Sequence, residues 1–238
     1  AHDLMDVLTP VLKAYFTDQG FAAANDCLQV LGGHGYVREY GLEQMVRNAR
    51  IGQIYEGANG IQAIDLVQRK LPAHEWRATR TLLAAMGDFI DRHDGSPSLE
   101  PFVDPLRQAC LRLSGVFDLL QRRAITAPEH NLAVAYDVLE ACGIAVVGWT
   151  WGEVIATLNG QHTQSAPTVR RKQALASFWM ERRMPMIDAL CRRIGASAPG
   201  VLSLAPEERR EGDSVASRAG AAPRGLFAKS PTAVRRAA

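Results

Sequence analysis

Every apolar run of useful length in this chain repeats at helical spacing, and no segment alternates with the two-residue period of a half-buried strand. That confines the fold to helices packed on helices, an all-α architecture. The chain opens AHDLMDVLTP, without an initiator Met and with an apolar pattern already under way at Leu4, Val7 and Leu8. These residues read as the end of an earlier helix, and the chain as the C-terminal part of something longer. Thr9-Pro10 then reads as a fresh helix start, a hydroxyl N-cap followed by proline at the first position. Val11, Leu12, Tyr15, Phe16, Phe21, Cys27, Leu28 and Leu31 carry the pattern to Gly32-Gly33, where glycine closes the helix.

The stretch GGHGYVREYG reads as a loop. A second helix is expected over 42–54, with Leu42, Met45, Val46, Ala49 and Ile54, and Glu56-Gly57 breaks it. A third, over 59–71, turns Ile61, Ile64, Leu66 and Val67 inward and ends before Pro72. Four longer patterns follow over 75–93, 102–125, 129–159 and 168–195, broken at HDGSPS, TAPEH and NGQHTQSAP. Their short connections suit an antiparallel bundle. The expected organisation is therefore 1–72, 73–195 as an additional bundle, and 196–238 as a disordered tail of Ala, Gly, Ser, Pro and Arg.

Composition excludes several classes of function. With 238 residues, 47% of them hydrophobic and 22% charged, the chain can bury a core. A net charge of +2 implies no strongly charged partner for the whole chain. Cys27, Cys110, Cys142 and Cys191 form no C-x-x-C pair, which fits a reducing cytosol rather than a disulfide framework. No apolar run is expected to approach the roughly 20 residues of a membrane span. The tail's Arg209, Arg210, Arg218, Arg224, Lys229, Arg235 and Arg236 have only Phe227 for stacking, so it reads as solvated rather than as a nucleic-acid site.

Familiar chemical motifs fail on inspection. In GGHGYVR the third glycine of a dinucleotide fingerprint would fall at Arg38, and no strand precedes it. HEWRA has Ala78 where a zinc-protease helix needs its second histidine. The six histidines show no metal-ligand spacing, and His34 reads as a loop residue. Trp149 and Trp151 sit at helical spacing in a long apolar run and read as helix contacts.

Residues 29–62 differ, because several unusual features converge. Gln29 stands one turn before Gly32-Gly33, where bare backbone lets a ligand approach. Glu56 lies at a helix break between Tyr55 and Gly57. It is either an exposed glutamate beside a helix cap or a poorly solvated carboxylate, whose pKa burial would raise toward that of a general base. The helix starting just beyond presents backbone N–H groups that favour an anion or polarised oxygen.

The segment QVLGGHGYVREYGLEQMVRNARIGQIYEGANGIQAIDLVQRKL, residues 29–71, closely resembles the C-terminal segment of the acyl-CoA dehydrogenases. The family pattern is Q-x-x-G-G-x-G-[YF], then R-[DN]-A-[RK]-I, then I-Y-E-G-[TA]-[SN]-x-I-Q. Order, spacing and residue types match. The added helical region resembles the larger, 3-methylmercaptopropionyl-CoA dehydrogenase-like members, by helical pattern alone. The resemblance implies an FAD-dependent α,β-dehydrogenation of an acyl-CoA thioester to a trans-2-enoyl-CoA. It makes Glu56 the catalytic base and its backbone N–H a donor to the developing enolate oxygen, and Gly57 leaves room for the thioester. It also implies FAD contacts at Gln29, Val30, Leu31, Gly32 and Gly33, and at Ala58, Asn59 and Gly60. The first group would serve a neighbouring subunit's FAD, hence a homo-oligomer, with electron-transfer flavoprotein as the acceptor. Ala58 replaces the commoner threonine and removes a hydroxyl near the cofactor. By the same resemblance, the N-terminal helical and middle β-domains that complete the pocket lie outside these residues, so the isolated chain is expected to be inactive. The alternative is a non-catalytic helical module or accessory subunit.

Overall fold

The computed structural model describes residues 2–160 and 165–204. The described residues up to Pro199 form one compact unit. Among the described residues every regular element is helical, as the apolar spacing requires.

Helix α1 runs unbroken from His2 to Val30, so Thr9-Pro10 does not start a helix. A proline there removes one backbone hydrogen bond and strains the preceding turn, at a cost of about 3 kcal/mol. Packing outweighs that cost. Val7, Pro10, Val11, Ala14 and Tyr15 are buried together on one face of α1, against the helices described below. Beyond Tyr15 no residue of α1 is buried, and its distal half carries two short elements. The expected loop after Gly32 folds into a single turn, α2 (Gly33–Tyr36), and a 3₁₀ turn (Arg38–Tyr40). Helix α3 (Leu42–Ile51) ends three residues before the expected Ile54, because residues 52–54 continue as turns.

Helix α4 (Asn59–Asp65) runs into a wider π-helical turn over Leu66–Lys70, close to the expected 59–71. Helix α5 (Ala73–His93) opens with a left-handed turn at His74, Glu75 and Trp76. That conformation is unfavourable for side-chain-bearing residues, and burial of the Trp76 ring holds it in place. Helix α6 spans Glu100–Thr126. The expected 129–159 helix is two, α7 (Pro128–Ala133) and α8 (Ala135–Gly160). The expected 168–195 helix is likewise α9 (Ala166–Arg182) and α10 (Met186–Ala196), interrupted around Pro185, which cannot continue the backbone ladder. Two guanidinium nitrogens of Arg123 cap α10 by donating to the carbonyls of Ile194 and Gly195, each at 2.8 Å. A last turn, α11, covers Pro199–Leu202. The tail expected to be disordered lies outside the described residues from 205 onward.

Helix α8 corrects one expectation. By length and composition it could cross a membrane, yet here it is the central helix of the bundle, with α1, α4, α5, α6, α9 and α10 packed around it. Apolar residues on all sides are what such a position demands. Three of its glycines are sockets for large side chains. A β-carbon on Gly143 would come within 2.5 Å of the Tyr15 ring, on Gly148 within 2.6 Å of Met184 Sδ, and on Gly152 within 2.6 Å of the Phe89 ring. Trp149 and Trp151 pack at the edge of this core, as helix contacts.

Candidate active site

The loop between α3 and α4 carries Glu56, and the structure holds its backbone from two sides. Glu56 has φ 55° and Gly57 φ 82°, so the chain passes through two left-handed residues in succession. Glycine adopts that conformation readily and glutamate does not, so Glu56 needs external support. Gln62 Nε2 supplies part of it, donating to the Glu56 carbonyl at 3.0 Å. Lys13 Nζ, from α1, donates to the Gly57 carbonyl at 2.7 Å. It also lies 5.9 Å from the centre of the Tyr55 ring, within range of a cation–π attraction.

Asn59 anchors the far side of the loop. Its amide nitrogen lies within hydrogen-bond distance of Asp18 Oδ1 (2.7 Å), Thr17 Oγ1 (2.9 Å) and the Ala14 carbonyl (3.1 Å), and shares its two hydrogens among them. Its oxygen accepts from Lys13 Nζ at 2.8 Å, and its backbone N–H donates to the Gln53 carbonyl at 3.0 Å. The side chain is buried and its bonding capacity is used inside the chain. Asn59 therefore fixes the loop on α1, a role the sequence does not reveal.

The Glu56 side chain is exposed, so the poorly solvated carboxylate expected from its neighbours is not what this chain builds. Tyr55 beside it is 53% exposed and Ile54 52%. Within this chain the loop is tethered through the Glu56 and Gly57 carbonyls and through Asn59, and the Glu56 side chain is left open. The backbone N–H of Glu56 has no backbone acceptor among the described residues, as a donor to a substrate oxygen requires.

The other expected contacts fall in two separate places. Gln29, Val30, Leu31, Gly32 and Gly33 lie exposed at the end of α1, with Val30 84% exposed. A β-carbon on Gly32 or Gly33 would meet nothing within 4 Å, so both present open backbone. Gly35 is different: a β-carbon there would strike the Leu28 carbonyl, so the third glycine of the motif serves helix packing. Ala58 and Gly60 are exposed beside the Glu56 loop, as is Gly57. Lys13, at that loop, and Gln29 are sixteen positions apart on α1, roughly 24 Å at 1.5 Å per residue. The structure does not bring the two groups into one pocket.

A cleft of about 580 Å³ adjoins the first group, lined by Asn25, Leu28, Tyr36, Arg38, Glu43, Gln44, Val46 and Arg47. His34 stacks edge-on against Tyr40 in the same region. At the other end of α1, His2, Asp3 and Asp6 come together, but the two carboxylates are taken by cations. Asp3 is paired with Arg77 at 2.7 Å and Asp6 with Lys70. These partners, the strongest being the hydrogen bonds from Arg77 and Lys70, hold both carboxyls below the usual range.

The family described as acyl-CoA dehydrogenase, C-terminal domain, matches residues 1–71. The family described as acetyl-CoA dehydrogenase C-terminal like matches residues 82–205. A broad-specificity linear acyl-CoA dehydrogenase of Mycobacterium tuberculosis is 27% identical over 77% of this chain and 32% of its own length. A butyryl-CoA dehydrogenase of Syntrophomonas wolfei is 33% identical over 62% of the chain and 24% of its own length. The 3-methylmercaptopropionyl-CoA dehydrogenase of Ruegeria pomeroyi is 29% identical over 64% and 26% respectively. The chain thus spans about a third of the first relative and about a quarter of the other two. The matches cover both halves of an all-helical fold that presents the I-Y-E-G loop on a built support, and the chain belongs to the acyl-CoA dehydrogenase family.

Proposed function

We propose that this chain supplies the catalytic base of an FAD-dependent acyl-CoA dehydrogenation, with Glu56 as that base. The observation that carries it is the loop itself. An exposed carboxylate rides on a left-handed backbone secured by Lys13, Gln62 and Asn59. A surface glutamate that only meets solvent has no need of such support. The Glu56 carboxylate takes the proton α to the thioester, and the electron pair of that C–H bond becomes the Cα–Cβ double bond as hydride leaves the β carbon. FAD, when bound, supplies the acceptor for that hydride. The Glu56 backbone N–H donates to the thioester oxygen as negative charge develops there, and Gly57, lacking a side chain, leaves space for the acyl group. Covering surface on the exposed side of the loop would desolvate the carboxylate and strengthen it as a base.

Two exposed groups fit FAD contacts, Gln29–Gly33 and the pair Ala58 and Gly60 that flanks the buried Asn59. Their separation along α1 supports their serving different flavins, and so a homo-oligomer. The exposed apolar residues of the distal part, Leu31, Tyr36, Val37, Tyr40, Met45 and Ile51, support a covered surface there. Both groups are exposed within this chain, which supports the isolated chain's being inactive. Electron-transfer flavoprotein as acceptor and a reducing cytosol complete the reading, the latter supported by four free cysteines. We place a boundary at Pro72, just past the end of the first family match at residue 71 and before the second begins at residue 82, with an added bundle over 73–195. The exposure of Glu56 favours a second reading, a non-catalytic helical module.

Glu56→Gln separates the two, tested in a flavin-containing protein that includes this segment. Flavin bleaching by acyl-CoA in stopped flow is expected to slow by at least roughly 10²–10⁴-fold, with flavin content and substrate affinity retained. Near-normal bleaching would remove Glu56 as the base and leave the interaction module.

A further inference from the structure

The carboxylate of Asp18 sits where three elements meet. Its Oδ1 accepts from Gln53 Nε2 and from Asn59 Nδ2, each at 2.7 Å. Its Oδ2 accepts from the hydroxyl of Tyr136, on the first turn of α8. Asn59 passes the connection to Lys13, and Lys13 to the Gly57 carbonyl. An unbroken run of hydrogen bonds thus leads from residue 136 to the peptide group beside Glu56.

The link crosses the proposed boundary at Pro72. Gln53, Glu56 and Asn59 lie before it and Tyr136 lies 118 positions beyond Asp18. Partial desolvation, then the bond to Asp18, raises the Tyr136 phenol above its usual range, and like any tyrosine hydroxyl it is a donor at neutral pH. Tyr136 in turn fixes how Asp18 is oriented. With no donor on Oδ2 the carboxylate would be held through Oδ1 alone, and the geometry of both Oδ1 bonds to the loop depends on its orientation. The left-handed residue Glu56 persists only where its surroundings over-determine it.

We propose that Tyr136, acting through Asp18 and Asn59, is a positioning residue for Glu56, so that the added C-terminal bundle sets the backbone of the base loop. This rests on the reading of Glu56 as the base. Packing of α4 on α8 brings the two regions together; the Tyr136–Asp18 bond fixes their register at the loop.

The test uses Tyr136→Phe, with Asp18→Asn as a second variant that keeps size but replaces the accepting Oδ1–Oδ2 pair. In the 238-residue chain, exchange of the Asn59 backbone amide is expected to speed up roughly 10-fold, the effect of one lost hydrogen bond to a charged group. Amides of Cys142 and Ile144, inside α8, should keep their rates. In a flavin-containing protein with this segment, Tyr136→Phe should slow flavin reduction several-fold at saturating acyl-CoA while leaving KM unchanged. Unaltered Asn59 exchange in both variants would overturn the proposal. So would a uniform acceleration in every helix that tracks a lowered unfolding midpoint, which marks general support alone. If Tyr136→Phe leaves Asn59 unchanged while Glu56→Gln abolishes reduction, the positioning role falls and the base stands. If Glu56→Gln leaves reduction intact, the base assignment falls and takes the positioning role with it.

Discussion

Lys13 Nζ and the Gly57 carbonyl lie 2.7 Å apart, joining the buried half of α1 to the loop that presents Glu56. The same ammonium bonds Asn59 Oδ1 at 2.8 Å, so one cation ties the loop to the start of α4. Replacing it with Met keeps the aliphatic stem and removes both bonds. Lys13→Met is expected to lower stability by roughly 1–2 kcal/mol, within the range for charge-assisted hydrogen bonds that solvent partly replaces. Urea unfolding followed by circular dichroism measures this. An unchanged midpoint would show that Gln62 and Asp18 hold the loop alone.

The glycine sockets of α8 make a sharper test of packing. Alanine is the better helix former by about 1 kcal/mol, so Gly152→Ala would stabilise an open helix. Here the new β-carbon would lie 2.6 Å from the ring of Phe89, and that ring is wholly buried and has nowhere to go. Overpacking of this kind costs about 1–3 kcal/mol, so the net expectation is a lower Tm. Gly115, within α6, faces open space, and Gly115→Ala should raise Tm by the propensity gain. Calorimetry on the two variants should move in opposite directions; movement in the same direction would refute the socket.

Legibility in the sequence divides along physical lines. Helix placement follows from apolar spacing, because burial on one face is a local periodic demand. The continuation of α1 through Pro10 is not legible, since the rule that proline starts helices is local and the packing of Val7, Val11 and Tyr15 that overrides it is not. Glu56, Gly57 and the two glycines at 32 and 33 stand out because they sit together in compact motifs. Lys13, Thr17, Asp18 and Tyr136 do not, since they reach the loop from far along the chain. A polar set at 13, 17 and 18 on a helix resembles a solvated face. The one available signal is that these residues flank Ala14 and Tyr15 on a face that is otherwise core.

Asp137 and Glu140 lie one turn apart at the start of α8, and burial raises the pKa of both carboxyls. Asp137 raises Glu140 further, and Arg183 lowers it by a smaller effect. A carboxyl whose folded pKa exceeds its unfolded value binds protons more tightly when folded. Its contribution is therefore most favourable at low pH and is lost as pH rises through the folded value. Glu140→Gln should raise Tm relative to the parent at pH 7, and the advantage should shrink toward pH 4, as the parent Glu140 protonates. Thermal melts at the two pH values give the comparison. A constant offset would mean that the Arg183 attraction balances burial.

Gly33 offers a way to test the proposed flavin edge without disturbing the fold. It is exposed, and a β-carbon on it would meet nothing within 4 Å, so the chain itself has room for a larger residue. Gly33→Val in the 238-residue chain should change stability by no more than about 0.5 kcal/mol, as surface substitutions commonly do. In a flavin-containing protein that includes this segment, the same substitution places two methyl groups where the cofactor is proposed to approach the backbone. Flavin content after gel filtration, read from the visible absorbance per protein, should then fall severalfold, and added FAD should restore it. Full flavin retention with unchanged stability would show that this edge faces solvent or a protein partner. A loss of stability already present in the 238-residue chain would assign Gly33 to packing between α1 and α2 instead.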